Sequence, residues 1–183
     1  MLLFHTDARP GDPNKGVQLS VKGRQSKSVS LLSLADNAGH KGSLAVIQGK
    51  DIFARVQKMY LDQCNVDLKV ATPHKVVTIA KGLANPLVYD KAKGGVGDIL
   101  DVLWAVSHEA AEVKSSDIVI LFLWDITSQS DVGVDTLAVC LPWDLWKPGL
   151  HLILFDDSQD AYVLGHEVVH ALGLGHNLRE LAA

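Results

Sequence analysis

Cysteine is scarce in this 183-residue chain. Two residues, Cys64 and Cys140, cannot build a disulfide framework, so cysteine usage settles no compartment. Long apolar runs are missing too. The strongest, Ile118–Trp124, is far too short to span a bilayer. The opening MLLFHTDARPGDPNK has no basic stretch followed by a long apolar core, so no signal peptide and no membrane partner are expected. Localisation stays open. Basic residues run out along the chain: residues 1–50 hold seven Lys/Arg against three Asp/Glu, and residues 98–183 hold three against fourteen. Phosphate contacts need Lys and Arg, so the acidic half excludes nucleic acid as its partner. What is present is apolar content, 48% of residues, which excludes a disordered chain and suffices for one core.

Periodicity orders the chain as strand, helix, strand, helix, three strands, helix. Residues 7–16 are dense in Gly, Pro, Asp and Asn and read as loop. Val17–Val21 and Val29–Leu34 read as short strands joined in a hairpin, and Ser43–Gln48 as another β run. From Asp51, Ile52, Val56, Met59 and Tyr60 share one helical face up to Cys64-Asn65. Val66–Ala71 reads as a strand stopped at Thr72-Pro73, with Val76–Ala80 a second short run. LANPLVYDKAKGGVG is a loop, and a helix follows whose apolar stripe runs through Ile99, Leu103, Val106, Ala110 and Val113. DIVILFLW is apolar on both faces, as a central strand is. Asp135–Leu141 and Leu150–Phe155 are two more strands, and Gln159–Leu172 is a helix apolar on several sides. The expectation is one α/β domain (α+β) with a mixed sheet, residues 43–183, preceded by an N-terminal β extension, residues 1–42.

The chemistry concentrates in Gly165-His166-Glu167-Val168-Val169-His170-Ala171-Leu172-Gly173-Leu174-Gly175-His176. On a helix, His166 and His170 are four apart and project from one face, so they can share a metal ion. Zinc accepts neutral imidazole at about 2.0–2.1 Å. Glu167 is turned about 100° around the axis, so it need not ligate and is placed to take a proton from a zinc-activated water. A continued helix would carry His176 roughly 9 Å past His170, out of reach of the same ion. Gly173 and Gly175 accept the φ > 0 conformations that end a helix and reverse the chain, which lets His176 return as a third ligand. Three His and an open position form a catalytic arrangement, whereas closed structural sites favour cysteine. At typical residue usage, HExxHxxGxxH arises by chance in a chain this long on the order of once in a hundred thousand.

These residues resemble the metzincin zinc metallopeptidases, and His170-Ala171-Leu172-Gly173-Leu174-Gly175-His176 is most similar to the matrixin branch. The resemblance covers roughly residues 43–176, though only the histidine signature is specific. It implies a zincin-like mixed sheet with a long backing helix, Asp51–Gln63, and an active-site helix. It implies zinc on His166, His170 and His176, with Glu167 as the catalytic base. Thr136–Pro142 is similar to the edge strand that holds substrate in that family, which makes Leu137, Ala138, Val139 and Cys140 the implied peptide-binding residues. Leu150–Asp157 is similar to the next strand with its acidic end. The family's methionine turn is missing: the methionines are Met1 and Met59, and seven residues follow His176. The expectation is a truncated C-terminal subdomain or a reduced relative.

Weaker patterns carry less. Asp156, Asp157 and Asp160 offer a Ca2+ site or, equally, an acidic cap for the helix that follows. His108-Glu109-Ala110-Ala111-Glu112 imitates a ligand set, but the apolar stripe already accounts for that helix. Gly94-Gly95-Val96-Gly97 lacks the flanking residues of a phosphate loop. Trp143 and Trp146 flank the loop after the edge strand, as cleft or packing residues. Three functions remain: a zinc endopeptidase acting on a peptide or protein, a catalytically silent zinc- or peptide-binding domain, and a toxin or effector fragment needing another segment. Oligomeric state is not legible.

Overall fold

A computed structural model describes residues 4–5, 18–19, 23–42, 45–89, 98–108, 111–128, 138–142, 148–156 and 159–173. A five-stranded sheet organises them. β3 (Gln25–Asp36), β4 (Val66–Ile79), β6 (Ile118–Leu123), β8 (Ala138–Pro142) and β9 (His151–Asp156) lie in the order β4-β3-β6-β9-β8. All neighbours are parallel except β8, which runs antiparallel to β9 at one edge. Two small sheets stand apart, β1 (Phe4–His5) with β2 (Gln18–Leu19) and β5 (Leu87–Tyr89) with β7 (Ile126–Ser128). The fold class is therefore the expected mixed α/β, with a mostly parallel sheet.

Both sheet faces are covered, which is why β6 is buried at every position. Side chains alternate across the strands. Val119, Leu121 and Leu123 of β6 join Leu152 and Leu154 of β9 beneath α2 (Asp98–Ser107) and α3 (Ala111–Ser115), which contribute Val102, Leu103, Val106 and Val113. Ile118, Ile120, Phe122, Ile153 and Phe155 face the other way, beneath α1 (Ala45–Cys64) and α4 (Ala161–Ala171). α1 supplies Phe53, Val56 and Tyr60, and α4 supplies Leu164, Val168 and Ala171. No helix among the described residues is long and apolar enough to cross a membrane.

Several expectations are corrected. β3 is not a hairpin arm: it is parallel to both β4 and β6, while β2 pairs with β1. The run Val29–Leu34 is buried on both faces, and such a strand needs neighbours on both sides. β3, which falls within the expected N-terminal extension, is the second strand in the order of the main sheet. Ala45–Gln48 is helix and not strand. Elongating a helix adds one bond per residue fixed, so the amphipathic segment from Asp51 propagates backward through a short run of weak β preference. Thr72-Pro73 does not stop β4. The proline lies on an edge strand where the register with β3 shifts twice, between Val29 and Ser30 and between Ser30 and Leu32, and an edge tolerates the missing N–H. After those shifts Val77 and Ile79 are again buried.

Leu87–Tyr89, expected as loop, is a strand. The stripe expected on one helix is split between α2 and α3. Near the break the Ser107 hydroxyl donates to Trp104 O (2.6 Å) and His108 N bonds Ala105 O (3.3 Å), side-chain and short-range bonds that compete with the helical ladder. Ser43 and Leu44, residues 7–16 and Asp135–Leu137 lie outside the described residues.

Candidate metal centre

α4 begins where β9 delivers the chain. Asp160 is its N-cap: the carboxylate accepts from Tyr162 N (2.8 Å) and Val163 N (3.2 Å), satisfying two amides that a helix start leaves open. This capping duty explains Asp160. Asp156 is buried at the end of β9, and Asp157 lies outside the described residues. The helix is buried along one side only. Leu164, Gly165, Glu167, Val168 and Ala171 are buried, while Tyr162 is 79% exposed and His166 also faces solvent.

The spacing of four brings the two histidines together as expected. His166 Nε2 and His170 Nε2 stand 3.1 Å apart, with the rings edge to face at 4.7 Å between centroids. At that distance the two nitrogens cannot both carry protons without setting N–H against N–H. One N–H donates to the other lone pair, or both lone pairs converge on one cation. Two nitrogens about 2.0–2.1 Å from one ion at a tetrahedral angle stand about 3.3–3.4 Å apart, so the pair fits a zinc ion with little movement. Among the described residues no group of three or more His, Cys, Asp or Glu converges on one point. His176, the expected third ligand, lies outside the described residues, as do Gly175 and Leu137.

The helix ends where the glycines require it to. Leu172 is the C-cap, and Gly173 has φ 91° with its N–H on His170 O at 2.9 Å. A side chain at that φ is strained, and glycine is not. The helical backbone is thus broken at Gly173, one turn after His170.

Glu167 is 9% exposed and lies on the side of α4 that meets β8 and β9. Its neighbour on the edge strand is Cys140. Burial, with the Glu167 carboxylate adding to it, pushes the Cys140 thiol up to about 12, so the thiol stays neutral beside the carboxylate. Cys140 and Ala138 point toward α4, whereas Val139 and Leu141 point to the opposite layer. Of the expected peptide-binding residues, Ala138, Val139 and Cys140 are therefore on the edge strand, at half-buried positions.

Sequence reading missed what holds the histidine helix in place. Tyr60 on α1 donates its hydroxyl to Gly165 O at 2.7 Å, across 105 positions of chain. Gly165 itself is pressed against α1, and a Cβ built there would sit 2.6 Å from Met59 Cε. Tyr60 was legible only as one residue of an apolar stripe. Elsewhere, His108 is exposed, stacked on Trp104 with its Nδ1 2.7 Å from Trp104 O. It follows α2, on the sheet face opposite α4. Glu109, Gly94–Gly97, Trp143 and Trp146 lie outside the described residues.

With this geometry in place, comparison with known proteins adds no family. A scan against protein-family models finds no match, and a search of curated proteins finds no relative.

Proposed function

We propose that the chain is a zinc-dependent endopeptidase of the metzincin type, hydrolysing peptide bonds in a protein or peptide substrate. The observation that carries the reading is the 3.1 Å approach of the His166 and His170 Nε2 atoms on a helix whose Glu167 is turned toward the edge strand. His166 and His170 would hold the ion, with His176 returning after the break at Gly173. Zinc, when bound, supplies Lewis acidity at neutral pH.

The chain's own residues account for the rest. β8 has an unpaired outer edge in the sheet order of the described residues, so an extended peptide can add there as a further strand through backbone bonds. A scissile bond held in this way would run along the side of α4 on which Glu167 lies. Glu167 accepts a proton from the attacking water and passes it to the leaving amine. The neutral Cys140 thiol keeps a second negative charge away from that carboxylate. The long α1 followed directly by β4, and a strand that is the element before the histidine helix, further support the likeness to the family.

The test measures zinc per chain and compares cleavage of an unstructured protein by wild type and Glu167→Ala. Expected are about one zinc per chain and a rate lowered roughly 10²- to 10⁴-fold by the substitution, the span of a general base. Zinc without Glu167-dependent cleavage overturns the peptidase reading and leaves a zinc- or peptide-binding domain. No zinc overturns both.

A further inference from the structure

We propose that the trough between α1 and α4 is a peptide subsite, taking a bulky apolar side chain beside His166 and an acidic one at Arg55. Its use by a substrate rests on the proposed function; capture of a peptide does not. At about 100° per residue around α4, Tyr162, Gly165 and Val169 lie on one flank of His166 and Glu167 lies on the other. The first flank borders the trough with α1. The second carries the carboxylate whose charge Cys140 of β8 feels. The histidine pair is the crest between them, so a peptide that leaves the β8 edge across the pair enters the trough.

Two cavities make the trough, and they share Met59, Gln63 and Tyr162. The one beside His166 has a volume of ≈ 270 Å³ and is walled mainly by Met59, Tyr60 and Val169. Methionine is flexible and polarisable, so such a wall adapts to more than one apolar group. The other cavity, ≈ 400 Å³, reaches Arg55. Its remaining charges are already engaged: Lys58 pairs with Asp62 at 2.6 Å, and Asp160 caps α4. Arg55 has no ion pair or hydrogen bond among the described residues. A guanidinium at the end of an apolar trough fits a carboxylate through two parallel bonds. Gln63 points to a peptide as the carrier of both groups. Its amide borders both cavities and also has no hydrogen bond among the described residues. It offers a donor and an acceptor, which a peptide group can satisfy and a hydrocarbon chain cannot. The exposed Tyr162 lies on the opposite side, and Tyr and Arg are side chains on which binding energy concentrates. α1 rises about 10 Å from Arg55 to the middle of the smaller cavity, the reach of about three extended residues.

The probe is a short fluorescent Gly/Ser peptide with one Leu and one Asp about three residues apart. Its binding is read by anisotropy on the full chain carrying Glu167→Ala, which removes the proposed base. Arg55→Glu is expected to weaken binding roughly tenfold, and Tyr162→Ala several-fold; both side chains are exposed, so neither change disturbs the core. Asn in place of the probe's Asp should weaken binding to the parent chain and cost nothing further in Arg55→Glu. Lys114→Glu makes the same change of charge on α3, across the sheet, and should leave binding unchanged. No binding at millimolar probe, equal affinity in Arg55→Glu, or an equal loss in Lys114→Glu overturns the proposal. A dimer in sedimentation that Tyr162→Ala dissolves gives the trough to a second copy and overturns it too. So does binding that appears only after removal of residues 177–183, which gives it to the chain's own end. With Glu167 restored, Arg55→Glu should raise KM for the same peptide roughly tenfold and leave kcat unchanged. A peptide bound as expected and never cut fails the peptidase reading alone. A peptide cut with KM unmoved by Arg55→Glu overturns the subsite.

Discussion

The two faces of the sheet are built from different materials. The layer beneath α2 and α3 is aliphatic: among its fully enclosed members, Leu121, Leu123, Leu152, Leu154, Val102 and Val106 carry no polar atom in the side chain. The layer beneath α1 and α4 holds Phe53, Phe122, Phe155 and Tyr60, with Phe122 and Phe155 in edge-to-face contact at 5.6 Å. It also admits Cys140 at its margin and Glu167 and the His166–His170 pair on its covering helix. An aliphatic layer stabilises by area and shape alone, whereas aromatic rings add geometry and, in Tyr60, a polar handle. The difference teaches where chemistry can be supported. Directional contacts hold a site, and the aromatic pair and the Tyr60 bond lie on the face that carries the histidines.

The first way to break this contrast is to damage the aliphatic face. Leu103→Ala should cost about 2–5 kcal/mol, read by chemical denaturation, because it opens a cavity in a buried aliphatic layer. The folded fraction should keep the ring contact between His166 and His170, since α2 packs on the opposite face of the sheet from α4; a lost contact would dissolve the distinction between the faces. Gly165→Ala acts on the other face and should cost under about 1 kcal/mol, because the added Cβ displaces only the flexible end of Met59 and alanine's helix preference offsets part of that. Met59→Ala in the same chain should return part of that loss, which a double-mutant cycle measures as coupling. Strict additivity would mean that the close approach is not the cause.

The smallest effect sharpens the comparison by lying outside both layers. Asp36 ends β3 and its carboxylate accepts Leu83 N (2.8 Å), His40 N (2.8 Å) and the His40 ring (2.9 Å). Burial alone would raise its pKa, but these bonds outweigh that and hold it below the ordinary 3.8. A group with a lowered folded pKa contributes stability that is present above the unfolded value and lost as pH falls through the folded one. Stability should therefore decline on acidification below pH 3.8, more steeply than in Asp36→Asn. Identical acid limbs in wild type and Asp36→Asn would refute this account.

Legibility followed the reach of each interaction. The central strand Ile118–Leu123, the strand ending at Asp156 and the helices from Asp98 and toward Ala171 announce themselves through local periodicity. The His166–Glu167–His170 spacing is likewise local, and the helix that makes it meaningful is present. β3 escapes sequence reading because its partners, β4 and β6, are far away in sequence, and nothing local distinguishes a hairpin arm from an interior parallel strand. Thr72-Pro73 misleads for the same reason: a proline breaks a strand or bends an edge depending on which neighbour is absent. The Tyr60–Gly165 bond has no signal at all, since a tyrosine in an apolar stripe looks the same with or without an acceptor.

By itself the sequence determined the mixed α/β class, the turn that Gly173 makes after His170, and the face that two histidines four apart must share. These are consequences of helical period, of glycine's freedom at φ > 0 and of alternating polarity, all properties of a few neighbouring residues. Only the tertiary structure decided that β3 lies inside the sheet, that Cys140 of the edge strand feels the charge of Glu167, and that Tyr60 bears on Gly165. Those arrangements depend on which distant surfaces find one another, and burial energy is indifferent to sequence separation.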